Sequence, residues 1–120
     1  LQIILLGGEY QQRSQVMVGP MTRRCMEPFY VDKLFIGTDG FTADSGFTGN
    51  DYMRSETVRD MAQQANHVIV VTESTKFSQK GLVHLIDTDH IHMVVSDDRI
   101  PEECEQYLTE QGVEVKKVKV

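Results

Sequence analysis

Two short runs constrain this chain most: "HVIVV" at 67–71 and "HMVVS" at 92–96. A strand wetted on one side alternates apolar and polar residues. A strand that is apolar at nearly every position is covered on both faces, the condition of a parallel sheet. "KLFIG" at 33–37 is a third strand of this kind. Helical spacing lies between them. In "MRSETVRDMAQQA", Val58, Met61, Ala62 and Ala65 fall at i, i+3, i+4 and i+7, in a helix that can start near Asp51. Met21, Cys25 and Met26 have helical spacing up to Pro28. "PEECEQYLTEQG" has Pro101 in its first turn, acids beside it and Gly112 at its end, the chemistry of a helix start and stop. "QIILLGG" predicts a strand over 2–6, "SQVMVGP" a short second one and "VEVKKVKV" a last one, while "LVHLI" fits a strand or a helical turn. The order β-β-α-β-α-β-(β/α)-β-α-β predicts an α/β fold. Its sheet is mostly parallel with helices on both faces, and "KLFIG", "HVIVV" and "HMVVS" are neighbours or near neighbours. No repeat or linker divides residues 1–120, so they read as one domain.

The balance of charge narrows the function. Lys and Arg number 12 against 18 Asp and Glu, a net charge of −6. A chain that grips a phosphate backbone needs clustered bases, and "TRRC" and "VKKVKV" are too short to supply them. No apolar run approaches the roughly 18–20 residues of a membrane span. Cys25 and Cys104 stand far apart without metal-ligand spacing. They read as helix-packing residues in a reducing cytoplasm. The six methionines scatter along apolar faces and read as core. Leu1 opens directly on an apolar strand, which reads as a partial domain.

One stretch asks for a function. "LFIGTDGFTADSGFTGND", Leu34 to Asp51, leaves a buried strand and runs into Gly37, Gly40, Gly46 and Gly49 with Asp39, Asp44 and Asp51. In open parallel sheets, ligands bind beyond the carboxyl ends of the strands. "GGEYQQR" and "TESTKF" follow other strands in the same way. Glycines let backbone N–H groups approach a ligand, carboxylates accept bonds from hydroxyls, and Arg13 and Lys76 can meet a phosphate. Acids that hold hydroxyls beside bases that hold phosphate describe a sugar-phosphate site. Each also has a plain reading: an Asx-turn for Asp39, helix N-terminal charge for Glu56, a solvated side chain for Lys76, turn geometry for Gly7 and Gly8. His90 and His92 form an H-x-H pair that a strand would place on one face. Without a third ligand nearby, no metal or other cofactor is expected.

"ILLGGEYQQRSQVMVGP", "KLFIGTDGFTADSGFTGND", the Glu56 helix "RSETVRDM" and "VIVVTESTKF" together resemble the effector-binding domain of DeoR-family bacterial transcriptional regulators. That pattern is strand-GG-x-aromatic, then G-x-D-G, then D-x-S-K-F, and within the family the text resembles the sugar-alcohol members, such as the glucitol (sorbitol) operon repressor. The resemblance implies the fold of ribose-5-phosphate isomerase, glucosamine-6-phosphate deaminase and CoA transferases, N-terminally incomplete here. It implies a phosphorylated sugar or sugar alcohol as effector and a homo-oligomer in the cytoplasm. Operator DNA would be bound only through a winged helix-turn-helix upstream of these residues, with a Gly-Thr-Thr phosphate loop between. The site residues it carries over are Gly8, Arg13, Gly37, Asp39, Gly40, Glu56 and Lys76. The loop from Gly37 to Asp51 would close over the ligand. Two positions depart from the pattern: Glu73 stands for the usual Asp and Thr75 for a Ser.

Two other classes compete with a sensor. An isomerase or deaminase on this fold would use Asp39, Glu56 and Lys76 as a partial acid/base set. Deaminases of the fold place a His directly after Asp-Gly, and isomerases a second acid after Asp-Gly-Ala; here the residues are Phe41 and Thr42. An interaction domain without a small ligand is the third class.

Overall fold

A computed structural model describes all 120 residues. A four-stranded parallel sheet carries the architecture. It is built from β3 (Val31–Ile36), β6 (Ala65–Val71), β8 (Met93–Asp97) and β9 (Glu114–Val118), in the order β3-β6-β8-β9. Parallel strands need crossovers. Helix α2 (Tyr52–Ala62) lies in the connection from β3 to β6, and α3 (Glu102–Glu110) in that from β8 to β9. The α/β class and the side-by-side placement of "KLFIG", "HVIVV" and "HMVVS" are as the sequence predicts. One row, Ile36, Val70, Val94 and Val115, crosses all four strands in register. Val70 and Val94 are wholly buried there.

The helical cover, expected on both faces, lies on one. Val58 and Ala62 of α2 and Cys104, Tyr107 and Leu108 of α3 join the same core as Ile36, Val68, Val70 and Val94. The alternate residues point the other way, and among them Phe35 is 63 % and Val71 49 % exposed. The third helix, α1 (Pro20–Met26), contacts α2 rather than the sheet. Arg23 pairs with Asp60 across them at 3.4 Å. Met17, Met21 and Met53, expected in the core, are exposed.

The strand predicted over 2–6 is not formed. Residues 1–7 take no regular structure, and Ile3, Ile4 and Leu5 are exposed. Apolar content favours burial, but a strand exists only through a hydrogen-bonded neighbour, and this segment has none. The pairing begins after it, in the hairpin of β1 (Glu9–Gln11) and β2 (Val16–Val18).

The Gly37–Asp51 stretch is not a lid. Strands β4 (Gly40–Thr42) and β5 (Gly46–Gly49) form an antiparallel hairpin inside it, and β7 (Val83–Ile86) completes a three-stranded sheet, which settles "LVHLI" as a strand. Phe41 and Phe47 are 2 % and 0 % exposed, with ring centroids 4.8 Å apart. Phe77, from a single 3-10 turn at Ser74–Ser78, stacks 5.5 Å from Phe41. Aromatic pairs at such spacing add about 0.5–1.5 kcal/mol beyond their buried area.

Candidate functional site

The carboxyl ends of β3, β6 and β8 point the same way, because the strands are parallel. Gly37–Asp39 leaves β3, Thr72–Lys76 leaves β6, and Asp97–Arg99 ends β8. Side chains of these turns hold their backbone, within a turn or from the neighbouring one. The Thr38 hydroxyl lies 2.8 Å from the Gly40 carbonyl and 2.9 Å from that of Thr48. Asp39 takes a backbone N–H from Asn50 on Oδ2 at 2.9 Å. Asp97 accepts the Ser74 N–H at 2.8 Å and the Arg99 N–H at 3.0 Å. The Ser74 contact in particular holds the Asp97 carboxyl below its usual range.

Asp51 joins two elements. Its carboxylate caps α2 by accepting the Arg54 N–H at 2.7 Å, and accepts the Gln11 side-chain amide of β1 at 2.9 Å. The Gln11 bond, then the Arg54 N–H, keeps this carboxyl below the ordinary value of 3.8. The β1–β2 hairpin is thereby tied to the start of α2. Between them opens a depression of about 670 Å³ lined by Gln11, Gln12, Arg13, Ser14, Asp39, Asn50, Asp51 and Arg54, none of them hydrophobic. A narrower cleft beside it is lined by Gly37, Thr38, Ser55 and again Asp39, Asp51 and Arg54.

Among the residues named from sequence, Arg13, Gly37 and Asp39 come together here. The other four stand apart. Glu56 sits on α2 and receives the Tyr52 hydroxyl at 3.3 Å. Lys76 pairs with Glu73 at 4.0 Å within the 3-10 turn. Gly40 is a packing glycine, since a Cβ there would lie 2.4 Å from the Gln79 carbonyl oxygen. At Gly8, φ is +142° and a Cβ would meet the Thr22 hydroxyl of α1. Arg54, Asp51 and Asp97 were outside the sequence-named set. The D-x-x-R spacing of an N-cap followed by its third helical residue is the signal that could have found the first two.

At the opposite ends of the strands lies a second hollow of about 420 Å³, lined in part by Arg59, Asn66, His84 and His92. The residues that could hold a cation are here: Asp87, Asp89 and His90, all exposed, with ligand atoms within 4.8 Å of one another. The strand geometry expected for His90 and His92 is absent. His90 ends a 3-10 turn, and His92 precedes β8 with Nδ1 accepting the Val68 N–H at 3.0 Å. Burial, then Glu103, pushes the Cys104 thiol up, away from an activated thiolate. Cys25 is exposed on α1 rather than packed. Phe41, at the position where a deaminase has its histidine, is core and transfers no proton.

An α/β domain with its polar side chains gathered at the carboxyl ends of a parallel sheet is a small-molecule-binding architecture. The sequence pattern of the DeoR C terminal sensor domain matches residues 1–98, and the chain belongs to that family. It is 30 % identical over 115 residues to a putative aga operon transcriptional repressor of Escherichia coli O157:H7, covering 96 % of this chain and 43 % of that protein. It is 26 % identical to the glycerol-3-phosphate regulon repressor of Escherichia coli K12, covering 95 % and 45 %. It is 22 % identical to the HTH-type transcriptional regulator IolR of Bacillus subtilis, covering 94 % and 45 %. The chain thus spans under half the length of these relatives. No helix is long and apolar enough to cross a membrane.

Proposed function

We propose that these residues are the effector-sensing part of a bacterial transcriptional repressor, and that the effector is a phosphorylated sugar or sugar alcohol. In this reading a winged helix-turn-helix elsewhere in the full-length protein binds the operator, and effector binding here controls it. The cytoplasm is the expected location and a homo-oligomer the expected assembly. The depression between the β1–β2 hairpin and α2 carries the reading. Its eight lining residues are all polar, with two guanidinium and two carboxylate groups among them. A lining without apolar surface suits a ligand that is hydroxylated throughout and charged at one end. The regulatory names of the relatives support the same reading, and the name of one contains glycerol 3-phosphate. Asp39, with one carboxylate oxygen bonded to Asn50, offers the other to a ligand hydroxyl. Gly37 leaves room beside it.

The experiment is calorimetry and thermal shift on the full-length protein with glucitol 6-phosphate, glycerol 3-phosphate and the corresponding free polyols. Phosphorylated ligands are expected to bind and to raise the melting temperature, by the mass-action stabilisation of a folded-state ligand. The same ligands are expected to change the affinity for operator DNA. Binding of the free polyols alone, or of no member of the panel, would overturn the reading.

A further inference from the structure

We propose that Arg54, with Arg13 across the depression, forms the subsite that reads the anionic end of the effector and decides between phosphorylated and unphosphorylated ligands. The inference rests on the sugar-phosphate reading above and assigns a group within it that the sequence did not suggest. Asp51 uses one carboxylate oxygen, Oδ2, for both the Arg54 N–H and the Gln11 amide. Asp39 is partly spent on the Asn50 N–H. The guanidinium of Arg54 makes no hydrogen bond. Its one partner is Asp39, with Nη1 3.9 Å from Oδ2, beyond hydrogen-bond reach. Its side chain is only 32 % exposed, so water reaches only part of it. Arg13 forms no ion pair and is exposed on the turn of the β1–β2 hairpin. The hollow therefore presents two guanidinium groups without hydrogen bonds, beside two carboxylates that each use one oxygen on the chain itself. The unbonded guanidinium donors are the groups an anionic end would meet.

The geometry also favours Arg54 over Lys76, one of the two cations the sequence named. Lys76 lies against Glu73 and outside the depression. A guanidinium fork meets two phosphate oxygens at once, which an ammonium cannot do. The loose contact with Asp39 lets Arg54 turn to a dianion without breaking a hydrogen bond. Asp39 stays bonded to Asn50, with its other oxygen ready for a hydroxyl. Substituting the Arg54 side chain leaves the α2 cap intact, because Asp51 is bonded to the backbone of Arg54 and not to its guanidinium.

The test is calorimetry on the full-length wild type, Arg54→Gln and Arg54→Lys, with glucitol 6-phosphate, glycerol 3-phosphate, free glucitol and inorganic phosphate as probes. Arg54→Gln is expected to weaken the phosphorylated probes roughly ten- to a hundredfold, the size of a lost charge-assisted contact. Its affinity for free glucitol should not change. Arg54→Lys, which keeps the positive charge, is expected to recover part of the affinity and to show a steeper salt dependence than Arg54→Gln. Should Arg54→Gln melt below the wild type, Arg54→Lys alone decides, by an affinity for phosphorylated probes several-fold below that of the wild type. Phosphorylated probes bound equally by all three proteins would overturn the role of Arg54 and leave the sensor reading standing. A wild type that ignores every phosphorylated probe would overturn both.

Discussion

At Asp51 one carboxylate starts a helix, ties a hairpin to it and forms part of a polar wall. Only the first role is local. A Ser, Thr, Asp or Asn ahead of a periodic segment is an N-cap signal, and the helix does begin at the next residue. The bond from Gln11, 40 positions earlier, belongs to tertiary structure. Asp51→Ala is expected to cost about 1 kcal/mol at neutral pH for the lost cap. The pH dependence has a definite sign. The folded-state pKa is lowered, so the folded protein binds fewer protons than the unfolded chain around the ordinary value of 3.8. The stability contributed by the ionised carboxylate is complete above that value and is lost as the pH falls through the folded-state one. Urea titrations of wild type and Asp51→Ala from pH 7 to pH 3 should show a gap that is constant near neutrality and narrows in the acid range. A gap that widens on acidification would contradict this assignment.

Among the elements, the Gly37–Asp51 stretch departs most from the form its composition suggests. Its glycines and acids suggested an open loop around a ligand, but it is a hairpin whose two phenylalanines are core. The pattern was readable in part: "GFT" occurs twice, at 40–42 and 46–48, around a short polar turn. What sequence lacked was the partner, β7, which pairs with β5 from over thirty residues downstream. Phe47→Ala is expected to destabilise the domain by about 3–5 kcal/mol, as a buried aromatic does, measured by chemical denaturation. A change below about 1 kcal/mol would mean that the hairpin is a mobile cover after all. Conversely, the 2–6 segment has the composition of a strand without being one, since pairing depends on a neighbour and not on composition.

For the whole molecule, the net charge of −6 sets an expectation about DNA. A duplex is a polyanion, and binding it draws on the release of its counterions by clustered bases. These 120 residues alone are expected to leave operator DNA unshifted in a mobility-shift experiment near physiological salt. A sequence-specific shift at sub-micromolar concentration would show that the sensing part itself contacts DNA. The sheet also leaves one face, with Phe35 and Val71, uncovered by any helix of the chain.

The continuous apolar runs of "HVIVV" and its neighbours pointed to the α/β class and the parallel pairing, because apolar runs and helical spacing are local properties of a chain. Polar turns after those strands, glycine-rich after "KLFI", located the carboxyl ends. Four motifs in order carried the family. The tertiary structure alone decided which of those residues meet. It set Arg13 and Asp39 around one depression, brought in Arg54, and left Lys76 and Glu56 outside its wall. The reason is physical: hydrogen bonds such as Gln11 to Asp51 span dozens of positions, and only the packed chain specifies which donors are spent on itself and which are left for a ligand.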